Sequence, residues 1–170
     1  MSSGCDAADS IAEFQGSIPV PWSARCGTRM TNACFDASAL VSLFVGDEFG
    51  DRTDAYIERH TPTILVSDFA VVEFASAISK LVRMNLLPAS TAQAVFADFD
   101  DWRRRLTTQV ALDASDLIAA GGFLRRLEFN LRTGDAIHIA IAERTYASLV
   151  TFDLRMAEVS VALGVDVAPA

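Results

Sequence analysis

Thr31-Asn-Ala-Cys-Phe-Asp-Ala-Ser-Ala-Leu40 decides how this chain is read. Ala33-Cys34-Phe35 is a short apolar run of the kind that forms a buried strand, and a helical run from about Ser38 to Val45 follows it at once. Asp36 stands at the joint. Strand passing directly into helix is the unit of an α/β fold, and the chain goes on repeating it. Thr63 to Val66 is a β-branched strand, and Ser67 or Asp68 caps a long helix reaching Leu86. Thr108 to Leu112 is a third strand, with Asp113 capping a helix to about Phe129. Ser148 to Phe152 is a fourth, followed by a helix from Leu154 to Leu163 that Gly164 closes, and Val165 to Val167 is a last strand. Further helices are expected over Phe49 to His60, Pro88 to Arg105, and Gly134 to Tyr146 behind a Thr133 cap. The alternation predicts a central, mostly parallel sheet flanked by helices.

Residues 1–30 differ. They are rich in Ser, Gly, Ala and Pro and keep no period of 2 or 3.6. They are expected to be a flexible extension or an unused upstream start, with the folded domain spanning 31–170.

The 170 residues suit one domain, long enough to bury a core without disulfide staples. Hydrophobic residues at 51% and charged residues at 21% exclude wholesale disorder. A net charge of −8 argues against holding nucleic acid by bulk charge. It leaves open an enzyme that meets phosphates through bound metal ions. Cys5, Cys26 and Cys34 form no CxxC, and with only His60 and His138 they make no zinc site. So sparse a set suits a reducing compartment. The uncharged stretches Phe14 to Ala24 and Ala37 to Gly46 are about half of the ~20 residues that a membrane span needs. A soluble, cytoplasmic protein is expected.

Four acids interrupt apolar runs or follow strands. Asp36 follows Ala33-Cys34-Phe35, at the strand end where open α/β sheets line their ligand crevice; a helix cap explains it equally well. Glu73 is the single charge between Phe69 and Ile78, and a buried ionised carboxylate needs a partner or a metal. Asp135 begins a helix that is apolar on nearly every face, although an acid in a first turn also suits the helix dipole. Asp153 follows Leu149 to Phe152, again a strand end and again a possible cap. Carboxylates gathered in one cleft repel, and shared protons or hard cations are the usual compensation. Mg²⁺ binds through a few carboxylates plus substrate phosphate, and two such ions activate water and stabilise a leaving oxygen. The residues therefore suggest a metal-dependent nuclease or phosphatase.

Phe35-Asp-Ala-Ser-Ala-Leu40, Val72-Glu-Phe74, Arg132-Thr-Gly-Asp-Ala-Ile-His-Ile-Ala140 and Thr151-Phe-Asp153 resemble, in order, the motifs of the PIN-domain ribonucleases. The nearest resemblance is to the VapC-type toxins of type II toxin–antitoxin systems. It covers about residues 31–167; the 30-residue lead departs from the pattern. The resemblance implies a PIN-like three-layer fold and an endoribonuclease in which Asp36, Glu73, Asp135 and Asp153 hold one or two Mg²⁺ or Mn²⁺ ions. It also implies that Ser38 and Thr151 support metal or substrate from close by. A cognate antitoxin and a homodimer are the expected partners, with RNA as the substrate.

Other features carry less. His138, three residues after Asp135, could orient that acid or touch substrate, but reads better as a buried structural histidine. Asp68 reads as a cap. Arg103-Arg104-Arg105 and Arg125-Arg126 read as solvated helix faces, while Arg132 beside the Asp135 motif is the best candidate to grip RNA phosphate. Trp102 and the phenylalanines read as core or partner-groove surface. A receiver or haloacid-dehalogenase-like phosphatase would need a late lysine, and the single lysine, Lys80, falls mid-chain. A non-catalytic PIN-like interaction module is the remaining alternative, although such modules tend to lose acids that this chain keeps.

Overall fold

The computed structural model describes residues 31–46 and 48–168. The expected N-terminal extension lies outside the described residues. The described elements run β1 (Asn32–Phe35), α1 (Ala37–Val45), α2 (Glu48–His60), β2 (Thr63–Ser67), α3 (Asp68–Arg83), α4 (Ala89–Leu106), β3 (Thr108–Val110), α5 (Ala114–Leu124), α6 (Thr133–Arg144), β4 (Ser148–Val150) and α7 (Leu154–Ala162).

The four strands form one sheet in the order β3-β2-β1-β4. Every pairing is parallel, with Phe35 in register with Val66 on one side and Val150 on the other. Parallel strands bring all their carboxyl ends to one edge. From β1 the chain goes first to β2 on one side and later to β4 on the other, so the topological switch point lies between β1 and β4.

Alternation along the strands sends side chains to two cores. Ala33, Phe35, Ile64, Val66 and Val150 face a cluster with Leu40, Phe74, Ile78 and Phe99, which belong to α1, α3 and α4. Cys34, Leu65, Val110 and Leu149 face the other way, onto α6 and α7. This is the three-layer α/β arrangement expected. In the first cluster Phe44 packs edge-on against Phe99 and Trp102, at centroid distances of 5.4 and 5.3 Å. Trp102 is thus part of the core wall. The seven consecutive residues Ala136 to Ala142 of α6 are all buried, which explains why that helix is apolar all round.

Several boundaries differ from expectation. The helix after β2 ends at Arg83, because Asn85 takes φ +55° and stops it. β3 ends at Val110, whose partner Ser67 is the last residue of β2, and the Ala111 carbonyl beyond it accepts from Arg144 Nη2 at 3.0 Å. α5 ends at Leu124, just after the weak helix formers Gly121 and Gly122, and four-residue turns closed by Arg126 N–H on Phe123 O and Phe129 N–H on Arg126 O carry the chain on to Phe129. The expected last strand is a single bridge from Val167 to Leu149; Asp166 and Ala168 bond Leu149 at 2.8 Å, and this segment screens the free edge of β4. Among the described residues no helix is long and apolar enough to cross a membrane.

Candidate active site

Asp36 leaves the end of β1 and caps α1. Its Oδ1 accepts from the Ala39 amide at 2.9 Å and from Ser38 Oγ at 2.8 Å, and its Oδ2 accepts from Thr151 Oγ1 at 2.8 Å. The cap reading of Asp36 holds, at the strand end where open α/β sheets line their crevice. It is only 3% exposed. Burial pushes its carboxyl above the ordinary value, and the nearby His138 and the bonds from Ala39, Ser38 and Thr151 offset part of that. Among the described residues no Lys or Arg pairs with it.

Ser38 and Thr151 bind the two strand ends together. Ser38 Oγ accepts from the Phe152 amide at 2.9 Å while donating to Asp36. Thr151 Oγ1 accepts from the Asp153 amide at 3.0 Å while donating to Asp36. The Asp36 amide closes the joint on the Val150 carbonyl at 3.1 Å. Asp153 caps α7, its Oδ1 accepting from Arg155 and Met156 amides at 3.0 and 3.1 Å.

Glu73 and Asp135 meet on the neighbouring side. Glu73 projects from α3 and shares a 2.5 Å hydrogen bond through Oε2 with His138 Nε2. A Cβ built on Gly134 would lie 2.7 Å from Glu73 Oε1, so the carboxylate rests against the first turn of α6. Asp135 Oδ2 accepts from the Arg132 amide at 2.9 Å, as a first-turn acid should. Thr133 begins α6 rather than capping it; Arg132 precedes it, with its residue exposed. His138 is 2% exposed, buried as expected, but its partner is Glu73 and not Asp135.

Two groups are thus brought together: Asp36, Ser38, Thr151 and Asp153 at the ends of β1 and β4, and Glu73, Asp135 and His138 at the start of α6. A closed four-carboxylate cage is not present. Among the described residues no three His, Cys, Asp or Glu side chains converge closely enough to hold a metal ion. The donor chemistry nevertheless suits a hard divalent cation. Glu73 Oε1, Asp135 Oδ1 and Asp153 Oδ2 accept no hydrogen bond among the described residues, and oxygen is the ligand such ions take.

Asp116 shows what a satisfied buried acid looks like in this protein. It is 1% exposed, takes Arg144 on both oxygens at 2.6 and 2.9 Å, and accepts from the Asp113 amide at 2.9 Å. Neither residue of this pair is among those singled out from the sequence. Its signal is an acid in the apolar run of α5, the same signal that singled out Glu73. Asp68 is exposed, and Ser67 makes the cap of α3, accepting from the Ala70 amide at 3.0 Å.

A family model described as PIN domain matches residues 33–162. A search of curated proteins finds no match. Several solved structures share the fold. VapC20 from Mycobacterium tuberculosis, described as a sarcin-ricin loop cleaving toxin, is 20% identical and the match covers 81% of this chain and 99% of that one, with a TM-score of 0.60. FitAcB from Neisseria gonorrhoeae is 13% identical over 81% of this chain and 96% of its own, with a TM-score of 0.64. DNA-bound VapBC from Salmonella typhimurium is 14% identical over 82% of this chain and 98% of its own, with a TM-score of 0.61. At these identities the likeness is one of fold.

Proposed function

This chain belongs to the PIN domain family, and from that premise we propose that it is a metal-dependent endoribonuclease acting as the toxin of a toxin–antitoxin pair. The observation that carries the reading is Asp36. It is a buried carboxylate at the switch point with no Lys or Arg to neutralise it among the described residues, whereas the buried acid Asp116 has its arginine. Burying a charge without a counter-charge is costly, and a cation supplied from solution removes that cost. Asp36, Glu73, Asp135 and Asp153 would hold Mg²⁺ or Mn²⁺. Such an ion, when bound, supplies positive charge against phosphate oxygens and acidifies water.

The chain's own residues do the rest. Ser38 and Thr151 fix both oxygens of Asp36, so that carboxylate presents one orientation. Arg132, exposed beside Asp135, would take an RNA phosphate through its fork of donors. Lys80 is exposed near the end of α3, which gives no support to a lysine-dependent phosphoryl-transfer site. The VapBC and FitAcB likenesses support an antitoxin partner, and a homodimer is proposed with it. One observation favours a non-catalytic interaction module instead, namely the absence of three converging ligands among the described residues.

Cleavage of total bacterial RNA by the full chain decides between them. Discrete fragments in Mg²⁺ or Mn²⁺ that disappear with EDTA, with Asp36→Asn and with Asp135→Asn are expected. Cleavage that survives both substitutions would place the chemistry elsewhere. Folded protein that cuts no RNA would favour the interaction module.

A further inference from the structure

We propose that His138 is a positioning residue that holds the Glu73 carboxylate in the place from which it serves as a cation ligand. The inference rests on the metal-site reading above and adds to it a residue with no ligand role of its own. His138 Nδ1 is buried and has no hydrogen-bond partner. A hydrogen there would be a buried donor with nothing to bond, so the ring hydrogen belongs on Nε2, where Glu73 Oε2 accepts it at 2.5 Å. The ring itself is fixed by α6 and by Phe69, edge-on at a centroid distance of 5.1 Å.

Glu73 is held at one oxygen and open at the other. His138 takes Oε2, Oε1 lies in the space that the missing Cβ of Gly134 leaves, and the side chain keeps 36% of its surface exposed. A glutamate with three rotatable bonds would otherwise swing into solvent and lose the place that a ligand needs. Packing alone does not account for a histidine here. Its helix neighbours Ile137 and Ile139 fill the core without polar atoms, whereas the imidazole leaves Nδ1 unbonded. What the imidazole adds over an isoleucine is its bond to Glu73.

The test is Mn²⁺ binding by the full chain, measured calorimetrically for the wild type, His138→Gln, His138→Leu, Glu73→Gln and the Glu73→Gln/His138→Leu double variant. Glutamine can donate from near the place of Nε2, and leucine cannot. Partners that orient a metal ligand change affinity by about 10–100-fold, so His138→Leu should weaken Mn²⁺ binding by that factor and His138→Gln by only about 3-fold. In the Glu73→Gln background His138→Leu should cost nothing further, because its effect runs through Glu73. Thermal unfolding in EDTA separates lost affinity from lost folding, and His138→Met replaces the leucine variant if that one does not fold. Wild-type affinity in His138→Leu, equal losses in both backgrounds, or a glutamine variant as weak as Glu73→Gln would each overturn the positioning role. A wild type that binds no Mn²⁺ would overturn the metal site itself, and this role with it.

Discussion

Replacing Gly134 by alanine puts one methyl group where the Glu73 carboxylate now rests. Gly134 is the second residue of α6 and is not among the glycines with positive φ, Gly46 and Gly164, so backbone shape does not require it. Room does. The new Cβ would stand 2.7 Å from Glu73 Oε1, and ordinary contact begins at 3.4 Å, so the oxygen must retreat by about 0.7 Å. The atom that yields is the end of a flexible side chain, so α6 keeps its place. Alanine gains up to ~1 kcal/mol of helix propensity. Loosening the Glu73–His138 bond loses about 1 kcal/mol for a carboxylate this exposed. These nearly cancel, and the unfolding midpoint in EDTA should move by no more than about 2–4 °C. The site has no such compensation. A misplacement approaching 1 Å costs up to ~100-fold in rate, so RNA cleavage in Mn²⁺ should fall by about 10–100-fold. Thermal unfolding and fragment yield, measured on the same preparation, check both halves. Wild-type cleavage would show that the position of Glu73 does not matter; a collapsed midpoint would show that Gly134 serves the fold.

Thr151→Val keeps the shape and removes one of the donors to buried Asp36, so urea unfolding should show a loss of about 1–3 kcal/mol that shrinks in an Asp36→Asn background. Arg144→Leu strands Asp116 and should cost about 3 kcal/mol, the low end for a broken buried pair because the arginine is partly exposed. Adding Asp116→Leu should recover most of that loss, and Mn²⁺ binding should not change in either variant. Burial pushes the Cys34 thiol up to about 12. At pH 8 only about 1 in 10⁴ of its molecules is thiolate, so Cys34 should resist alkylation in the native state and react in urea, as peptide mapping will show. Native-state labelling of Cys34 would contradict its burial between β1 and α6.

The strands were legible because Ala33 to Phe35, Thr63 to Val66 and Ser148 to Val150 are short apolar runs between caps and turns. Their order was not, since no local pattern says that β1 lies between β2 and β4. The C-terminal strand was over-read: Val165 to Val167 has the composition of a strand but only a bridge to β4. Among the acids, position at a strand end identified Asp36 and Asp153, and the structure brings both to the β1–β4 joint. A lone acid in an apolar helix proved ambiguous. Glu73 and Asp116 look alike in sequence, and only tertiary packing gives one a histidine from α6 and the other an arginine. His138 and Glu73 are 65 residues apart, so their bond leaves no trace in local spacing.

A crystal of the full chain soaked in Mn²⁺, with anomalous differences collected at the manganese edge, shows where the ion sits. A peak among the carboxylates of Asp36, Glu73, Asp135 and Asp153, absent from Asp36→Asn, is the expected result. No peak there in the wild type, or a peak that persists unchanged in Asp36→Asn, would mean that these four acids do not form one cation site.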